Sequence, residues 1–259
     1  MRRVPVERGM NEAAIRDRLV SHGRDVFRAP TEFNKFTGVP EADRLLNDLN
    51  RYPHAFVLAC IMDQKQIKAE KAWVIPYRIA EKLGDFAIAT LGRQSLDDIK
   101  ELMERPKPLH HMFNVMAKYF YLGVQRIIKR YSGDAGSIWR GSLPSAEVVY
   151  RFLEFDGVGP KIATMATNIL ARDFKAPFSD YVSIDISADT HVRRVFGRLG
   201  LCESAASAEK IIYKARALYP EFPGMMDLAC WEIGKNWCKP SKPECTACFM
   251  ADLCPKLLR

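Results

Sequence analysis

Four cysteines crowd the C-terminal end of the chain. Cys238, Cys245, Cys248 and Cys254 are spaced C-x6-C-x2-C-x5-C within 17 residues. Four thiolates so close in sequence can wrap one compact metal centre, and Lys239, Pro240, Pro243 and Pro255 put them on loops, where a metal cage needs its ligands. Tetrahedral zinc is the ordinary alternative, although structural zinc sites mostly use two C-x2-C pairs and only one is present. An iron–sulfur cubane tolerates the uneven spacing better. The other cysteines, Cys60, Cys202 and Cys230, sit in apolar surroundings and read as buried and inert.

A second group with chemistry lies at Phe155-Asp-Gly-Val-Gly-Pro-Lys-Ile-Ala163. Gly157 and Gly159 permit the left-handed turn of a tight helical hairpin, and Pro160 suits the first position of the helix that follows. With Val158 between them, these residues leave backbone N–H groups at a helix N-terminus, a phosphate site that reads no base sequence. Lys161 falls in the first turn, where the helix macrodipole disfavours an ammonium. A partly desolvated amine there can act as a nucleophile. The plainer alternative is an ordinary phosphate-binding lysine.

A third is Ala188-Asp-Thr-His-Val-Arg-Arg-Val195, where Asp189 and Thr190 suffice as the cap of a helix beginning near His191. The apolar stretch Phe56–Met62 runs into Asp63-Gln-Lys-Gln66, with Gln64 and Gln66 at what reads as a solvated helix end.

The elements that must position these residues are almost all helical. Apolar residues recur at helical spacing in 15–26, 56–73, 73–83, 95–103, 112–131, 146–155, 161–171, 208–219 and 225–237, with proline and glycine punctuating the breaks. Only Tyr181–Ile186 alternates like a strand, and it is short. An all-α fold is expected.

Lysine and arginine outnumber aspartate and glutamate by 39 to 31, a net charge of +8 that suits an anionic polymer as partner. Lys118 to Arg130 holds four basic residues and no acid. This is either the solvated face of an amphipathic helix or a phosphate contact surface. No apolar run approaches the ~20 residues of a membrane span, and the N-terminal segment MRRVPVERG lacks the apolar core of a secretory signal. A soluble intracellular protein is expected.

The cysteine spacing, the segment Trp231-Glu-Ile-Gly-Lys-Asn-Trp-Cys238 before it, the G-V-G-x-K hairpin and the D-T-H-V string together resemble the endonuclease III family of helix-hairpin-helix DNA glycosylases. The resemblance covers roughly residues 45–259. It implies a [4Fe–4S] cluster on the four cysteines and two helical lobes. Residues 45–175 would form a six-helix lobe with the helix-hairpin-helix at about 146–171; residues 1–44 and 176–259 would form the cluster lobe. Double-stranded DNA with a damaged or mismatched base would lie in the groove between. Residues 1–44 match no family motif, beyond an amphipathic helix from about Asn11 to Phe27.

By the same resemblance Lys161 attacks the sugar C1′ carbon, and Asp189 stabilises the developing positive charge and helps to deprotonate the lysine. Gly157, Val158 and Gly159 bind phosphate, Lys239 and Lys242 face the DNA backbone, and Gln64, or Gln66 next, fills the gap left by a flipped nucleotide. His191 is expected to be structural. The implied activity is base-excision repair with AP lyase cleavage by β-elimination, in a monomer of the cytoplasm and nucleoid or of a nucleus. A monofunctional glycosylase and a non-catalytic iron–sulfur DNA-binding protein are the alternatives. Two features depart from the family. Lys161 and Asp189 are 28 positions apart, a longer separation than usual, and the extra segment 174–187 carries Asp180 and Asp185. It would be a loop over the cleft, or Asp185 would take the place of Asp189. Phe155-Asp156 also stands where Leu-Pro is common.

Overall fold

A computed structural model of the chain describes residues 5–64 and 66–257, with side chains from residue 11 onward. The described residues are all-α, with no strand among them. The helices are α1 (Pro5–Arg28), α2 (Pro40–Asn47), α3 (Pro53–Met62), α4 (Ala69–Trp73), α5 (Ile75–Leu83), α6 (Ile88–Gly92), α7 (Leu96–Glu104), α8 (Phe113–Tyr131), α9 (Ser145–Leu153), α10 (Pro160–Arg172), α11 (Thr190–Arg198), α12 (Ala208–Leu218) and α13 (Asp227–Asn236). None of them is long and apolar enough to cross a membrane.

Packing follows the apolar faces. Every residue of α3 is buried, so this helix is the axis of its neighbourhood, with α2, α4, α5, α8 and α10 against it. Helix α8 turns Met116, Phe120, Val124 and Ile127 inward and also packs on α6 and α7. Helices α9 and α10 pack against each other. A second set comprises α11 on α13 and α12, with α1 lying along α13 and the 3-10 turn Pro223–Met226.

Two expectations change. The helical run 56–73 is broken at 63–64 and 66–68, because after ten buried residues, all apolar but His54, the polar side chains of Asp63, Gln64 and Gln66 must leave the core. Gln66 turns the chain with φ of 59°. The alternating segment 181–186 finds no strand to pair with; it runs as a loop whose Ile184 and Ile186 plug the core.

Segment 174–187 packs on its neighbours through several of its side chains. Phe174 meets the rings of Phe36 and Phe56, and Tyr181 stacks on Phe222 at 4.9 Å. Asp180 accepts from the Ser145 hydroxyl at 2.5 Å.

Candidate active site and metal centre

The hairpin is built from the core outward. Phe155 and Val158 are buried between α9 and α10, and the Val158 N–H donates to the Phe155 carbonyl at 3.0 Å. Gly157 has φ of +81°, and a Cβ there would lie 2.5 Å from the Tyr119 ring, so both backbone and space require glycine. Gly159 differs from expectation. Its φ is −105°, which any residue adopts, and open space lies where its Cβ would be. Its use is to leave the backbone approachable. Among the described residues the N–H groups of Gly157 and Gly159 find no acceptor, and α10 begins with Pro160, which has no N–H of its own.

Lys161 follows in the first turn of α10 with its side chain 40% exposed, accessible to a macromolecule. Its Nζ lies 3.7 Å from the Asp63 carboxylate and 3.5 Å from the Asp63 carbonyl oxygen. Asp63 is not among the residues the sequence singles out; its signal is an acid directly after the eight apolar residues Ala55–Met62. It ends α3, with its N–H on the Cys60 carbonyl.

The turn after it is fixed by buried His110. The Met112 N–H donates to Nδ1 at 2.9 Å, so the neutral ring carries its proton on Nε2, which donates to the Gln64 carbonyl at 3.2 Å. Burial holds the His110 pKa down, with the neighbouring His111 adding to the effect and the bond to Gln64 opposing it. The Gln64 amide folds back onto the Ile61 carbonyl at 2.7 Å, half-buried, whereas Gln66 is exposed.

Asp189 caps α11, accepting from the Val192 N–H at 2.8 Å. Among the described residues no hydrogen bond or ion pair joins it to Lys161. Asp185 is committed elsewhere: its two oxygens take the Arg216 guanidinium at 2.7 and 2.8 Å. Behind Asp189 lies buried Asp227, at the start of α13, which accepts from the Ser187 N–H at 2.7 Å. Burial pushes Asp227 up to about 7; the nearby Asp189 charge adds to this, and the Ser187 bond and Arg172 oppose it. His191 packs against Gly234, where a Cβ would come within 2.6 Å of its own Cβ, and this contact seats α11 on α13.

The other end of α11 holds the cysteine loop. Arg194 donates to the carbonyls of Gly234 and Cys238, and Arg198 to those of Lys239 and Pro240 and to Cys238 Sγ at 3.3 Å. Cys238, Cys245, Cys248 and Cys254 line one small space, partly open to solvent, with Val195, Leu199, Ile233 and Met250 among its apolar walls. Among the described residues no three histidine, cysteine or acidic side chains are arranged to hold a single ion, and all four thiols line the same space. Burial pushes the Cys248 and Cys254 thiols up, and the other cysteines of the set add to it. A cationic iron centre reverses both effects, so the four residues fit a cluster. Lys242 is exposed, and Lys239, half-buried, donates to the Lys235 carbonyl. Cys60 and Cys230 are buried, but Cys202 is only half-buried, contrary to expectation.

The sequence profile of the iron-sulfur binding domain of endonuclease III matches residues 238–254. Endonuclease III of Thermotoga maritima is 30% identical over 102 residues, 39% of this chain and 43% of that protein. The chloroplastic endonuclease III homolog 2 of Arabidopsis thaliana is 25% identical over 147 residues, 54% of this chain and 35% of that protein. The chain thus spans less than half the length of these curated relatives. Among solved structures, a non-covalent endonuclease III–DNA complex superposes with a TM-score of 0.64 at 19% identity, covering 95% of each chain, which shows a shared fold. The matched C-terminal segment marks a [4Fe–4S] protein, and the chain is similar to endonuclease III proteins in part of its sequence and in its fold.

Proposed function

We propose that the chain is a DNA glycosylase of base excision repair that removes a damaged or mismatched base and cleaves the strand through a lysine Schiff base. The observation that carries this reading is the Lys161 amine, accessible in the first turn of α10 beside hairpin N–H groups that have no internal acceptor. The hairpin would hold a phosphate, and exposed Lys118, Lys129, Arg130 and Lys242 would add sequence-independent attraction to the duplex. The helix sets around α3 and α13 are read as the two lobes, 45–175 and the remainder, with DNA between. Flipping the nucleotide is required because C1′ and the base are inaccessible in a stacked duplex. Gln64 would have to turn out from Ile61, or Gln66 act in its place, to fill the gap. The four cysteines would hold the [4Fe–4S] cluster, which when bound ties the loop 238–254 into one rigid piece. Asp189 would stabilise positive charge developing on the sugar as the glycosidic bond breaks.

Borohydride with a panel of duplexes, each bearing one lesion, tests the reading. A covalent adduct is expected on the duplex that is cleaved, and Lys161→Gln is expected to form none. Base release without an adduct would reduce the protein to a monofunctional glycosylase. Asp189→Asn separates catalysis from binding. Asparagine caps a helix as well as aspartate does, so α11 keeps its start. Base release should be lost while salt-sensitive duplex binding persists; duplex binding by the wild type with base released from none of the duplexes would point to a non-catalytic DNA-binding protein.

A further inference from the structure

We infer that Asp63, not only Asp189, is a catalytic carboxylate of this protein, holding the Lys161 ammonium at rest and accepting its proton as the amine attacks. This rests on the reading of Lys161 as the nucleophile. Three observations carry it. The Asp63 carboxylate is the acid that the structure pairs with Lys161 Nζ, at 3.7 Å. Asp189 instead spends an oxygen on the Val192 N–H, and no hydrogen bond or ion pair among the described residues joins it to the amine. Asp63 is also placed, not loose. Its side chain is 13% exposed, its N–H is tied to the end of fully buried α3, and His110 pins the following residue.

The position suits the task. The C-terminal end of α3 presents the negative pole of its dipole, and the Asp63 carbonyl, 3.5 Å from Nζ, adds an oxygen to the cradle. Both charges act on the buried Cys60 thiol from the end of fully buried α3, where the apolar surroundings strengthen the attraction between carboxylate and ammonium. The 3.7 Å separation is an ion-pair distance, and such contacts tighten to a hydrogen bond when substrate binds.

The step balances as follows. A proton moves from Lys161 Nζ to Asp63, leaving a neutral amine and a carboxylic acid. The amine lone pair forms the N–C1′ bond while the electron pair of the C1′–base bond departs with the base. The Asp63 carboxyl then protonates that base nitrogen and returns to carboxylate. Asp189 remains ionised throughout, opposite the positive charge on the sugar.

The experiment measures single-turnover borohydride trapping on the cleaved lesion duplex, from pH 6 to pH 9, for the wild type, Asp63→Asn, Asp63→Glu and Lys161→Gln. General base catalysis contributes about 10²- to 10⁴-fold, so Asp63→Asn should trap about 100-fold more slowly at neutral pH. Its rate should rise steadily with pH and close on the wild type at the alkaline end, as hydroxide replaces the missing base. Asp63→Glu should recover much of the rate. Iron–sulfur absorbance and duplex affinity should be unchanged in both variants, which a merely structural role would not give. Wild-type trapping with Asp63→Asn equally fast, or faster, overturns the proposal while leaving the nucleophile in place. A slow Asp63→Asn with the same pH profile as the wild type overturns it too. No adduct from the wild type on any duplex fails the underlying reading instead. If Asp63→Asn does not fold, the Asp63→Glu profile decides, since a displaced base must still alter the rate without altering affinity.

Discussion

The hairpin that carries Lys161 and the helix that carries Asp189 are held by opposite means. Around the hairpin the anchors are apolar: Phe152, Phe155, Val158 and Ile162 are buried, and the Tyr119 ring fills the space beneath Gly157. Around α11 they are polar. Arg194 and Arg198 donate to four backbone carbonyls of the chain at and after α13, and in the whole of 238–257 only Met250 is buried. A loop with one buried side chain cannot offset the entropy of its own ordering. The first region is folded by its sequence, the second by its sequence and its cofactor, so the carboxylate half of the site should be tied to the cluster and the amine half should not.

Removing the cluster is the strongest way to break that comparison. Cys245→Ser should lose the iron absorbance and expose 238–257 to protease while α8, α9 and α10 stay protected in hydrogen exchange. Because α11 joins the loop to Asp189, base release should fall about 100-fold, the scale of a misplaced catalytic group. Uniform loss of protection across both regions would show that the two halves share one folding unit.

Two glycines sharpen the other side. Gly157→Ala meets both the Tyr119 ring and a positive φ, and should destabilise by about 2–3 kcal/mol in thermal or urea unfolding. Adding Tyr119→Ala should not restore the backbone part. Gly159→Ala should change stability by less than about 0.5 kcal/mol, since open space surrounds it, yet weaken duplex binding by obstructing the phosphate. Equal destabilisation by both would mean that the hairpin turn is not what the glycines serve.

The uneven legibility of the sequence follows the same division. Local chemistry was readable: the cysteine spacing, the cap at Asp189 and the entry of α10 at Pro160 are decided within a few residues of themselves. The helical run 56–73 misled because apolar periodicity continues past Met62 while the intervening polar residues cannot be buried. Asp63 was hidden for a related reason. Its partner is 98 positions away, and only the packing of α3 on α10 brings the two together. Segment 174–187 reads as an insertion in one dimension. In three it is core, because Phe174, Ile184 and Ile186 have faces to fill that no linear pattern names.

A subtler test within the polar half is Arg198→Ala. It removes the donors to Lys239, Pro240 and Cys238 Sγ. Each bond is worth about 1 kcal/mol net, more to a charged thiolate, so the loop should lose about 2–3 kcal/mol of local stability. The expected sign is faster bleaching of the iron absorbance with a chelator, and an unchanged hairpin. Bleaching at the wild-type rate would assign the loop's order to its prolines and not to α11.

The effect most confined to one condition is a pH dependence from Asp227, which ties the segment before α11 to the start of α13 through the Ser187 N–H. Burial first, then the charge of Asp189, pushes this carboxyl up to about 7, against an unfolded value near 3.8. Between those two values the folded chain holds a proton that the unfolded chain has released. The contribution is therefore full below pH 4, declines as pH rises, and is lost above 7, where a charge is buried. Asp227→Asn keeps an oxygen for the Ser187 N–H and never ionises. Its stability relative to the wild type should climb between pH 5 and pH 8 by at most a few kcal/mol, at about 1.4 kcal/mol per pKa unit. Melting curves of the two proteins that run parallel over this range would mean that Arg172, whose charge also faces Asp227, already neutralises the carboxylate. The polar half of the site would then be ionised throughout, and its order would not depend on a proton.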